Sequence, residues 1–169
     1  MPRYRRHYRD GQTVFLTIVT RDRRPWMNSS VACQEIITAL RATRLLYPFS
    51  SHGYVLLHDH LHLLLSPHLD VGVPDVVGCF KRATQAGLRR AGITSTQLWQ
   101  KRYYDHIVRD EADFARHLDY LHFNPVKHGL CTNARTWAWS SLGTWMAHGV
   151  YPPTWGVTPP DHIRGIDEA

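Results

Sequence analysis

The sequence predicts an α+β domain in which a ferredoxin-like antiparallel sheet carries helices packed on one face. Apolar runs with strand and helix periodicity follow one another in the order β, α, β, β, α, β, α. In the middle, residues 53–57 (GYVLL) and 60–65 (HLHLLL) are separated only by His58 and Asp59, which predicts a hairpin. A hairpin between two helical crossovers is the split βαβ plan, in which helices cover an antiparallel sheet.

The elements before the hairpin are a strand and a helix. Residues 13–20 (TVFLTIVT) are β-branched and aromatic and end at a charged turn, a pattern typical of a strand. The serine pair at positions 29–30 can cap a helix over residues 31–47, which is followed at once by Pro48. Together with the hairpin, these elements supply the first three strands of the sheet and one crossover helix.

The elements after the hairpin are a helix, a strand and a second helix. Residues 74–92 predict an amphipathic helix, and residues 98–109 predict a strand that contains or precedes a bend. Asp110 can cap a helix over residues 111–124, which we expect Pro125 to end. One stripe of the first of these helices is predicted to face the core: Val76, Val77, Phe80, Thr84, Gly87 and Leu88.

The length and composition fit one domain with tails. The chain has 169 residues, of which 43% are hydrophobic and 20% charged. We expect a basic N-terminal arm (1–12), one domain (13–146) and a Trp/Pro-rich C-terminal tail (147–169), with a short helix after residue 134. No segment has the length of a membrane span or the apolar core of a secretory signal, which predicts a cytoplasmic protein with no membrane partner. Three isolated cysteines predict neither disulfides nor a cysteine zinc site.

Positive charge is concentrated in two stretches. Residues 1–24 carry +5, and residues 79–102 carry +6 with no acidic residue, although the whole chain is only +6. Such segregation, with aromatic residues between the cations, suits phosphates and bases, so nucleic acid is the natural partner. A merely solvated basic surface is the alternative. The predicted DNA-binding residues are Arg3, Arg5, Arg6, Arg21, Arg23, Arg24, Lys81, Arg82, Arg89, Arg90, Lys101 and Arg102.

The segment HDHLHLLL (residues 58–65) places histidines at alternate positions of a predicted strand. His60 and His62 therefore share one face, and three leucines share the other. With the leucine face buried, we expect the histidine face to open to a cleft or to solvent. Neighbouring imidazoles can bind one cation. Two surface or structurally hydrogen-bonded histidines would give the same pattern, so a third ligand is needed.

The predicted helix DFARHLDYLHFNP supplies the remaining candidates. At about 100° per residue, Tyr120 falls beside Asn124, His117 and Asp113 and off the apolar stripe. This placement favours a tyrosine that is exposed toward a site, with Asn124 one turn beyond it. An amphipathic tyrosine at the edge of the core is the alternative.

These side chains predict metal-assisted phosphodiester chemistry if the helix packs beside the hairpin. The amide oxygen of Asn124 would then complete a ligand set with His60 and His62 around a divalent cation. The cation would polarise a phosphodiester while the phenolate of Tyr120 attacks phosphorus, giving a covalent phosphotyrosine that preserves the ester for strand transfer. The Asn oxygen and open positions for phosphate favour Mg²⁺ or Mn²⁺ over Zn²⁺.

The same residues resemble a known family. HLHLLL resembles the His-hydrophobic-His (HUH) motif of the HUH single-strand endonucleases. WQKRYYDHIVRD followed by LDYLHFNPVKHGL resembles the single-tyrosine transposases, in particular the REP-associated tyrosine transposases. The similarity runs from YRRHY near the start through WAWSSL. One departure is Leu57-His58-Asp59, where relatives often have Pro-Asn or Pro-Glu, so His58 competes for the ligand assignment.

The resemblance implies an HUH endonuclease-like version of the ferredoxin-like fold and a site made of particular residues. His60 and His62 would be metal ligands, Tyr120 the nucleophile, and Asn124 the ligand carried by the helix. His106, in YYDHIVR, would support the site, and His117 is grouped with it.

The resemblance also implies an activity and a substrate. Family members act on single-stranded DNA near hairpins formed by repetitive extragenic palindromes (REP) in bacterial chromosomes, which places the protein at the nucleoid. The expected reaction is cleavage and strand transfer through a 5′-phosphotyrosine. We expect a monomer, as is general in this branch, although dimers occur in the insertion-sequence branch.

Two other functions fit parts of the sequence. A protein derived from a transposase could bind hairpin DNA or structured RNA through its basic arm without catalysis, although the intact His60, His62, Tyr120 and Asn124 argue against loss of activity. A metal-dependent hydrolase of small phosphoesters fits the two histidines but leaves the segregated positive charge unexplained. Formation of a covalent adduct with DNA distinguishes the transposase from both.

Overall fold

The computed structural model describes residues 11–93 and 97–166. The strands are β1 (Val14–Val19), β2 (Phe49–Leu56), β3 (His60–Pro67) and β4 (Tyr104–Ile107). The helices are α1 (Ser30–Leu46), α2 (Val73–Arg90), α3 (Glu111–Lys127) and α4 (Leu142–Ala147). The sheet order is β2-β3-β1-β4, and every neighbouring pair is antiparallel. The predicted α+β class and the ferredoxin-like strand order are confirmed.

The predicted hairpin joins β2 to β3 and presents the histidine segment. The backbone N–H of Leu57 donates to the carbonyl of His60 at 2.9 Å, so the two residues between them form the turn. The strand expected over residues 98–109 is interrupted by the bend that the sequence indicated. Trp99 makes an isolated antiparallel bridge to Thr20, and regular pairing begins only at β4.

The two faces of the sheet are covered by different helices. Leu61, Leu63 and Leu65 of β3 pack in the core cluster that includes α1 and α2, whereas Leu64 and Phe15 pack with residues of α3. The expectation that the helices share one face therefore holds for α1 and α2 only. The opposite face is also apolar, and α3 removes it from water.

The crossover helix α2 is amphipathic, as its periodicity predicted. Every member of the predicted stripe is buried, from Val76 to Leu88. The opposite side leaves Arg82, Arg89 and Arg90 exposed. Within the described parts of the chain, no helix is both long and apolar enough to cross a membrane.

The prediction that Pro125 ends the last long helix is wrong, because α3 continues to Lys127. Proline cannot donate a backbone hydrogen bond, but so close to a helix end this removes only one interaction. The last turn is held by other bonds, from the N–H of His128 to the carbonyl of Asn124 and from Leu130 to Pro125, both at 2.9 Å. The extra residues bring Lys127 and His128 to the candidate site.

Residues 134–166 cover the side of α3 that faces away from the sheet. The expected short helix in this region is α4. His122 of α3 is fully buried and hydrogen-bonds Ser141 at 2.8 Å and Tyr151 at 3.0 Å. Burial lowers the pKa of His122 to about 3, so the ring is neutral at physiological pH. With cover on both sides, most of the second half of α3 is buried.

Candidate functional site

His60 and His62 lie on the face of β3 that α3 covers. They pair with Val19 and Thr17 of β1, and their ring centroids are 5.0 Å apart. The two imidazoles therefore share a face, as the alternation predicted. The expectation that this face is open is wrong: His60 is 3% exposed and His62 1% exposed, because α3 packs over them.

Each of these imidazoles has one nitrogen occupied by a protein partner. Nδ1 of His60 lies 2.6 Å from Oδ1 of Asp59, and Nδ1 of His62 lies 2.9 Å from the hydroxyl of Thr17. These bonds orient the rings and leave Nε2 as the nitrogen that can bind a cation. Burial lowers the pKa of His60 more than Asp59 raises it, which favours the neutral ring that metal binding requires.

Asn124 of α3 faces His62 from above the sheet. Its side chain is fully buried, and neither amide atom has a hydrogen-bond partner; the same is true of Nε2 of His62. Burial holds the pKa of His62 well below its ordinary value, and the polar side chain of Asn124 acts in the opposite direction. The two side chains are therefore close enough to interact, although their geometry does not make a hydrogen bond. Nε2 of His62 and the amide oxygen of Asn124 are therefore two unpaired atoms on facing residues, and both could bind a cation that lies between them.

Tyr120 lies one turn before Asn124, beside the same histidine. Its ring centroid is 5.5 Å from that of His62. The expectation of an exposed tyrosine is wrong, since the side chain is 1% exposed and belongs to the core under α3. Its hydroxyl accepts a hydrogen bond from Nζ of Lys127 at 3.3 Å, and Lys127 is an exposed residue. The hydroxyl is therefore close to the surface at the C-terminal end of α3.

Three residues that the sequence analysis did not select adjoin this group. Asp59 holds His60, Lys127 contacts Tyr120, and the ring centroid of His128 is 4.9 Å from that of His60. The signal for Lys127 was its position seven residues after Tyr120, which is the same helical face if the helix passes through Pro125. His58, which competed for the ligand assignment, instead packs near Trp137, with ring centroids 5.8 Å apart.

The two predicted supporting histidines form a separate group. His106 and His117 stack at 4.3 Å between ring centroids. The ring of Phe15 stands between them and the first pair of histidines, with its centroid 5.0 Å from both His62 and His117. His106 and His117 therefore do not join His60, His62 and Asn124 around one point.

Several of the predicted DNA-binding residues meet in one cleft of about 980 Å³. The cleft lies at the end of the sheet that carries His60: Gln100, which lines it, donates a backbone hydrogen bond to Val19, the strand partner of His60. Trp99 packs in the core against Trp26 and forms part of the wall. The basic residues that line the cleft are Arg21, Lys81, Arg82, Arg89 and Lys101.

The remaining predicted cations lie around or beyond the cleft. Arg23 donates to Asp59 at 3.2 Å and so connects the basic turn to the carboxylate that holds His60. Arg24 forms an exposed ion pair with Asp22 at 3.7 Å. Arg90 and Arg102 are exposed but do not line the cleft. Arg3, Arg5 and Arg6 of the predicted N-terminal arm lie outside the described residues.

Known proteins are similar to this chain over nearly its whole length. The IS200-like transposase family matches residues 10–123. A protein of Haemophilus influenzae named as a REP-associated tyrosine transposase is 32% identical, covering 98% of this chain and 99% of its own length. The REP-associated tyrosine transposase of Escherichia coli K12 is 29% identical, covering 98% of this chain and 97% of its own length.

Solved structures show the same relationship. A REP-associated tyrosine transposase bound to a REP hairpin superposes with a TM-score of 0.82 at 28% identity, covering 95% of this chain and 94% of that one. A protein of Deinococcus radiodurans described as a transposase shares the fold, with a TM-score of 0.51 at 21% identity over 70% of this chain and 95% of its own. The chain belongs to the IS200-like transposase family, and within it to the REP-associated tyrosine transposases.

Proposed function

We propose that this transposase is a metal-dependent endonuclease and strand transferase acting on single-stranded DNA beside REP-type hairpins. Tyr120 is the nucleophile and forms a 5′-phosphotyrosine, and His60, His62 and Asn124 hold Mg²⁺ or Mn²⁺. The names of the relatives and the REP hairpin bound to a related structure support the reaction class and the substrate.

The observation that carries the proposal is the group of unsatisfied atoms beside Tyr120. Nε2 of His62 and both amide atoms of Asn124 are buried without hydrogen bonds. A buried polar group left unpaired lowers the free energy of unfolding by about 1–3 kcal/mol. Such groups therefore suggest that a partner binds them in the functional state. A divalent cation bound by Nε2 of His62 and the amide oxygen of Asn124 would satisfy these two atoms, and the NH₂ group of Asn124 would still require an acceptor. Two imidazoles and a carboxamide oxygen suit Mn²⁺, and open positions for phosphate and water suit Mg²⁺ equally.

The tyrosine carries out the covalent step. A bound Mg²⁺ or Mn²⁺ would polarise the scissile phosphodiester and neutralise charge on its oxygens. The Tyr120 hydroxyl loses its proton and its oxygen bonds to phosphorus, while the bond from phosphorus to O3′ breaks and the 3′ oxygen takes up a proton. Attack by the 3′-hydroxyl of another DNA end reverses these changes, releases Tyr120 and joins the strands.

The burial of Tyr120 determines how DNA reaches it. The side chain is enclosed by the sheet and α3, but its hydroxyl contacts the exposed Lys127 at 3.3 Å. A phosphate arriving at this end of α3 attracts the ammonium of Lys127 and so uncovers the hydroxyl. Lys127 then supplies positive charge beside the reacting oxygen.

The basic cleft supplies the affinity for DNA. Its arginines and lysines lie at the end of the sheet that carries His60, so a strand held there by its phosphates can continue toward the candidate metal ligands. The predicted N-terminal arm adds further cations. A chromosomal hairpin as substrate places the protein in the cytoplasm at the nucleoid, and the site is contained in one chain, which suits a monomer.

Removing positive charge from the cleft should weaken DNA binding and make the affinity less sensitive to salt. Arg82→Ala combined with Arg89→Ala is expected to reduce the slope of log affinity against log salt by about 2, since each phosphate contact contributes close to one. Fluorescence anisotropy with a labelled REP hairpin at several salt concentrations measures the slope. Arg41 and Arg44, exposed on α1, provide the matched control pair. An unchanged slope in the cleft variant would place the DNA elsewhere.

Removing the carboxylate that orients His60 should weaken metal binding. Asp59→Asn keeps the size of the side chain but loses the charge that receives Nδ1–H of His60 at 2.6 Å. Losses of this kind typically cost about 10–100-fold in metal affinity. Titration with Mn²⁺ followed by electron paramagnetic resonance measures the dissociation constant. Asp22→Asn, in the neighbouring turn, is the control; equal constants for both variants and the wild type would exclude a role for Asp59.

The proposal as a whole is tested by mass spectrometry of the protein after incubation with single-stranded DNA that spans a REP hairpin and its flanks, with Mn²⁺. The expected product is a chain heavier by one DNA fragment, attached to the peptide that contains Tyr120. The mass also identifies the cleavage position. Cleavage without any protein adduct would instead indicate hydrolysis and would contradict strand transfer through tyrosine.

The second candidate function is hairpin binding without catalysis. The observation that favours it is the burial of the whole candidate site, where Tyr120, His60, His62 and Asn124 are each at most 3% exposed. A protein that only binds would retain salt-sensitive affinity for the hairpin but would neither cleave it nor form an adduct in Mn²⁺. Incubating a labelled hairpin with and without Mn²⁺ separates the two functions.

A further inference from the structure

A second group of metal-binding side chains lies where β4 meets α3. Nε2 of His106 is 2.8 Å from Oδ2 of Asp113, and Nδ1 of His117 is 3.2 Å from Oδ1 of the same carboxylate. One potential ligand atom of each residue lies within 4.8 Å of the other two. Asp113 and His117 are separated by one helical turn and therefore project from the same side of α3.

The carboxylate at the centre of this group is unusually enclosed. Asp113 is 4% exposed, and its Oδ1 has no hydrogen-bond partner, because Nδ1 of His117 donates instead to the backbone carbonyl of Asp113 at 2.8 Å. Its Oδ2, by contrast, accepts hydrogen bonds from His106 and from the backbone and side chain of Arg109. Burial acts to raise the pKa of Asp113, but these bonds outweigh it and hold the pKa far below its ordinary range. The carboxylate is therefore ionised, with one oxygen unsatisfied and two imidazoles beside it.

We propose that His106, Asp113 and His117 form a second divalent-cation site, separate from the nuclease centre. Two imidazoles and one carboxylate are a known set of three protein ligands for Zn²⁺, in sites where water or substrate fills the fourth position. The cation binds Nε2 of His106, a carboxylate oxygen of Asp113 and Nδ1 of His117. Without the cation, both nitrogens donate hydrogen bonds, Nε2 of His106 to Oδ2 of Asp113 and Nδ1 of His117 to the backbone carbonyl of Asp113, each at 2.8 Å. When the cation binds, the proton of each ring moves through solvent to the other ring nitrogen, so both imidazoles stay neutral.

Two further features are compatible with a cation at this place. Arg109 competes for Asp113, but its side chain is 70% exposed and can swing into solvent when a cation arrives. A surface cleft of about 490 Å³, lined by Arg109, Asp113, Arg116 and His162, gives a path from solvent to the carboxylate. Metal binding here does not depend on the proposed nuclease activity.

The consequence is a cross-link between β4 and α3. The cation ties His106 of the strand to two residues of the helix, and Tyr120 lies within one turn of His117. It cannot act as the second ion of a two-metal centre, where the ions are about 3.5–4 Å apart. The ring of Phe15 stands between the two groups, 5.0 Å from His62 and from His117 between centroids. The proposed cation therefore acts by fixing the position of α3 against β4.

The test uses the full chain with the first site removed. In a His60→Ala, His62→Ala double variant, titration with Co²⁺ followed by visible absorption reports bound cation, and the absence of a thiolate charge-transfer band excludes cysteine ligation. We expect this double variant to bind one equivalent of Co²⁺, which Zn²⁺ then displaces. Adding His106→Gln should abolish this equivalent, whereas adding His148→Gln, at an exposed histidine of the C-terminal region, should retain it.

The outcomes separate clearly. Loss of the equivalent with His106→Gln, and its retention with His148→Gln, supports the site. No bound Co²⁺ in a folded double variant, or binding that survives His106→Gln, overturns it. Because Asp113→Asn would change the buried carboxylate itself, the decisive change is made at His106, whose side chain is 27% exposed. Circular dichroism of each variant verifies the fold.

Discussion

Replacing Tyr120 with phenylalanine is expected to abolish the covalent DNA adduct and cleavage while leaving hairpin binding close to that of the wild type. The change removes the only atom proposed to attack phosphorus. Removal of a covalent nucleophile lowers catalysis by several orders of magnitude, about 10⁶-fold in a well-studied protease. Denaturing gel electrophoresis of a labelled strand with Mn²⁺ measures the adduct directly.

The Tyr120→Phe substitution should leave the packing of the side chain unchanged. The Tyr120 ring is 1% exposed and packs beside His62 and Phe15, contacts that phenylalanine retains. The substitution removes the bond from Lys127 to the hydroxyl, and loss of a hydrogen bond of this kind costs about 1 kcal/mol in folding stability. Tyr104→Phe, at a tyrosine of β4 that is 38% exposed, is the matched control and should form the adduct normally. A denaturation-resistant adduct with the Tyr120→Phe variant would assign the attack to another residue.

The sheet was predictable because its pattern is local. In HLHLLL the side chains alternate between two faces, so the shared face of His60 and His62 follows from the period of a strand. The two-residue turn before them limits the chain to a hairpin, and the helices on either side make the strand order close to unique. The register that opposes His62 to Thr17 follows from contacts across the sheet, which a single sequence does not report.

The exposure of the site was not predictable, because burial on a helix depends on what covers it. The period of α3 placed Tyr120 off the stripe of Leu118 and Leu121, but all three side chains belong to one buried cluster. The sheet covers both arcs, since Leu118 and Leu121 lie over Gly53 of β2 and Tyr120 lies beside Phe15 of β1 and His62 of β3. Residues 134–166, which have weak periodicity, cover the other side of the helix. Only the assembled fold could reveal that the polar arc is enclosed and contains unsatisfied donor groups.

The end of α3 was placed wrongly for an identifiable reason. Proline disfavours helix at the residue before it, and that preference alone predicted the end at Asn124. In the structure, the packing of Asn124 against His62 and the bonds that follow Pro125 outweigh it. The additional residues bring Lys127 to the hydroxyl of Tyr120, and this contact is one of the parts of the candidate site that the sequence analysis missed.

Replacing Asn124 with leucine is expected to stabilise the metal-free protein and to abolish metal-dependent cleavage. Asn124 is fully buried with both amide atoms unpaired, a state that costs about 1–3 kcal/mol relative to an apolar side chain of similar size. Leucine removes this cost, so thermal unfolding in the presence of a chelator should occur at a higher temperature than in the wild type. The same change removes the oxygen proposed to bind the cation.

Addition of Mn²⁺ should then reverse the order of stabilities. At 100 times its dissociation constant, a ligand that binds only the folded state stabilises it by about 2.7 kcal/mol, so the wild type gains more from Mn²⁺ than the Asn124→Leu variant, which keeps only the separate site at His106. Asn124→Asp retains a ligand oxygen and adds a charge, and should bind Mn²⁺ at least as tightly as the wild type. Unfolding temperatures of the three proteins, with chelator and with Mn²⁺, measure both effects. If the leucine variant gains as much from Mn²⁺ as the wild type, Asn124 is not a ligand and its unsatisfied amide has another origin.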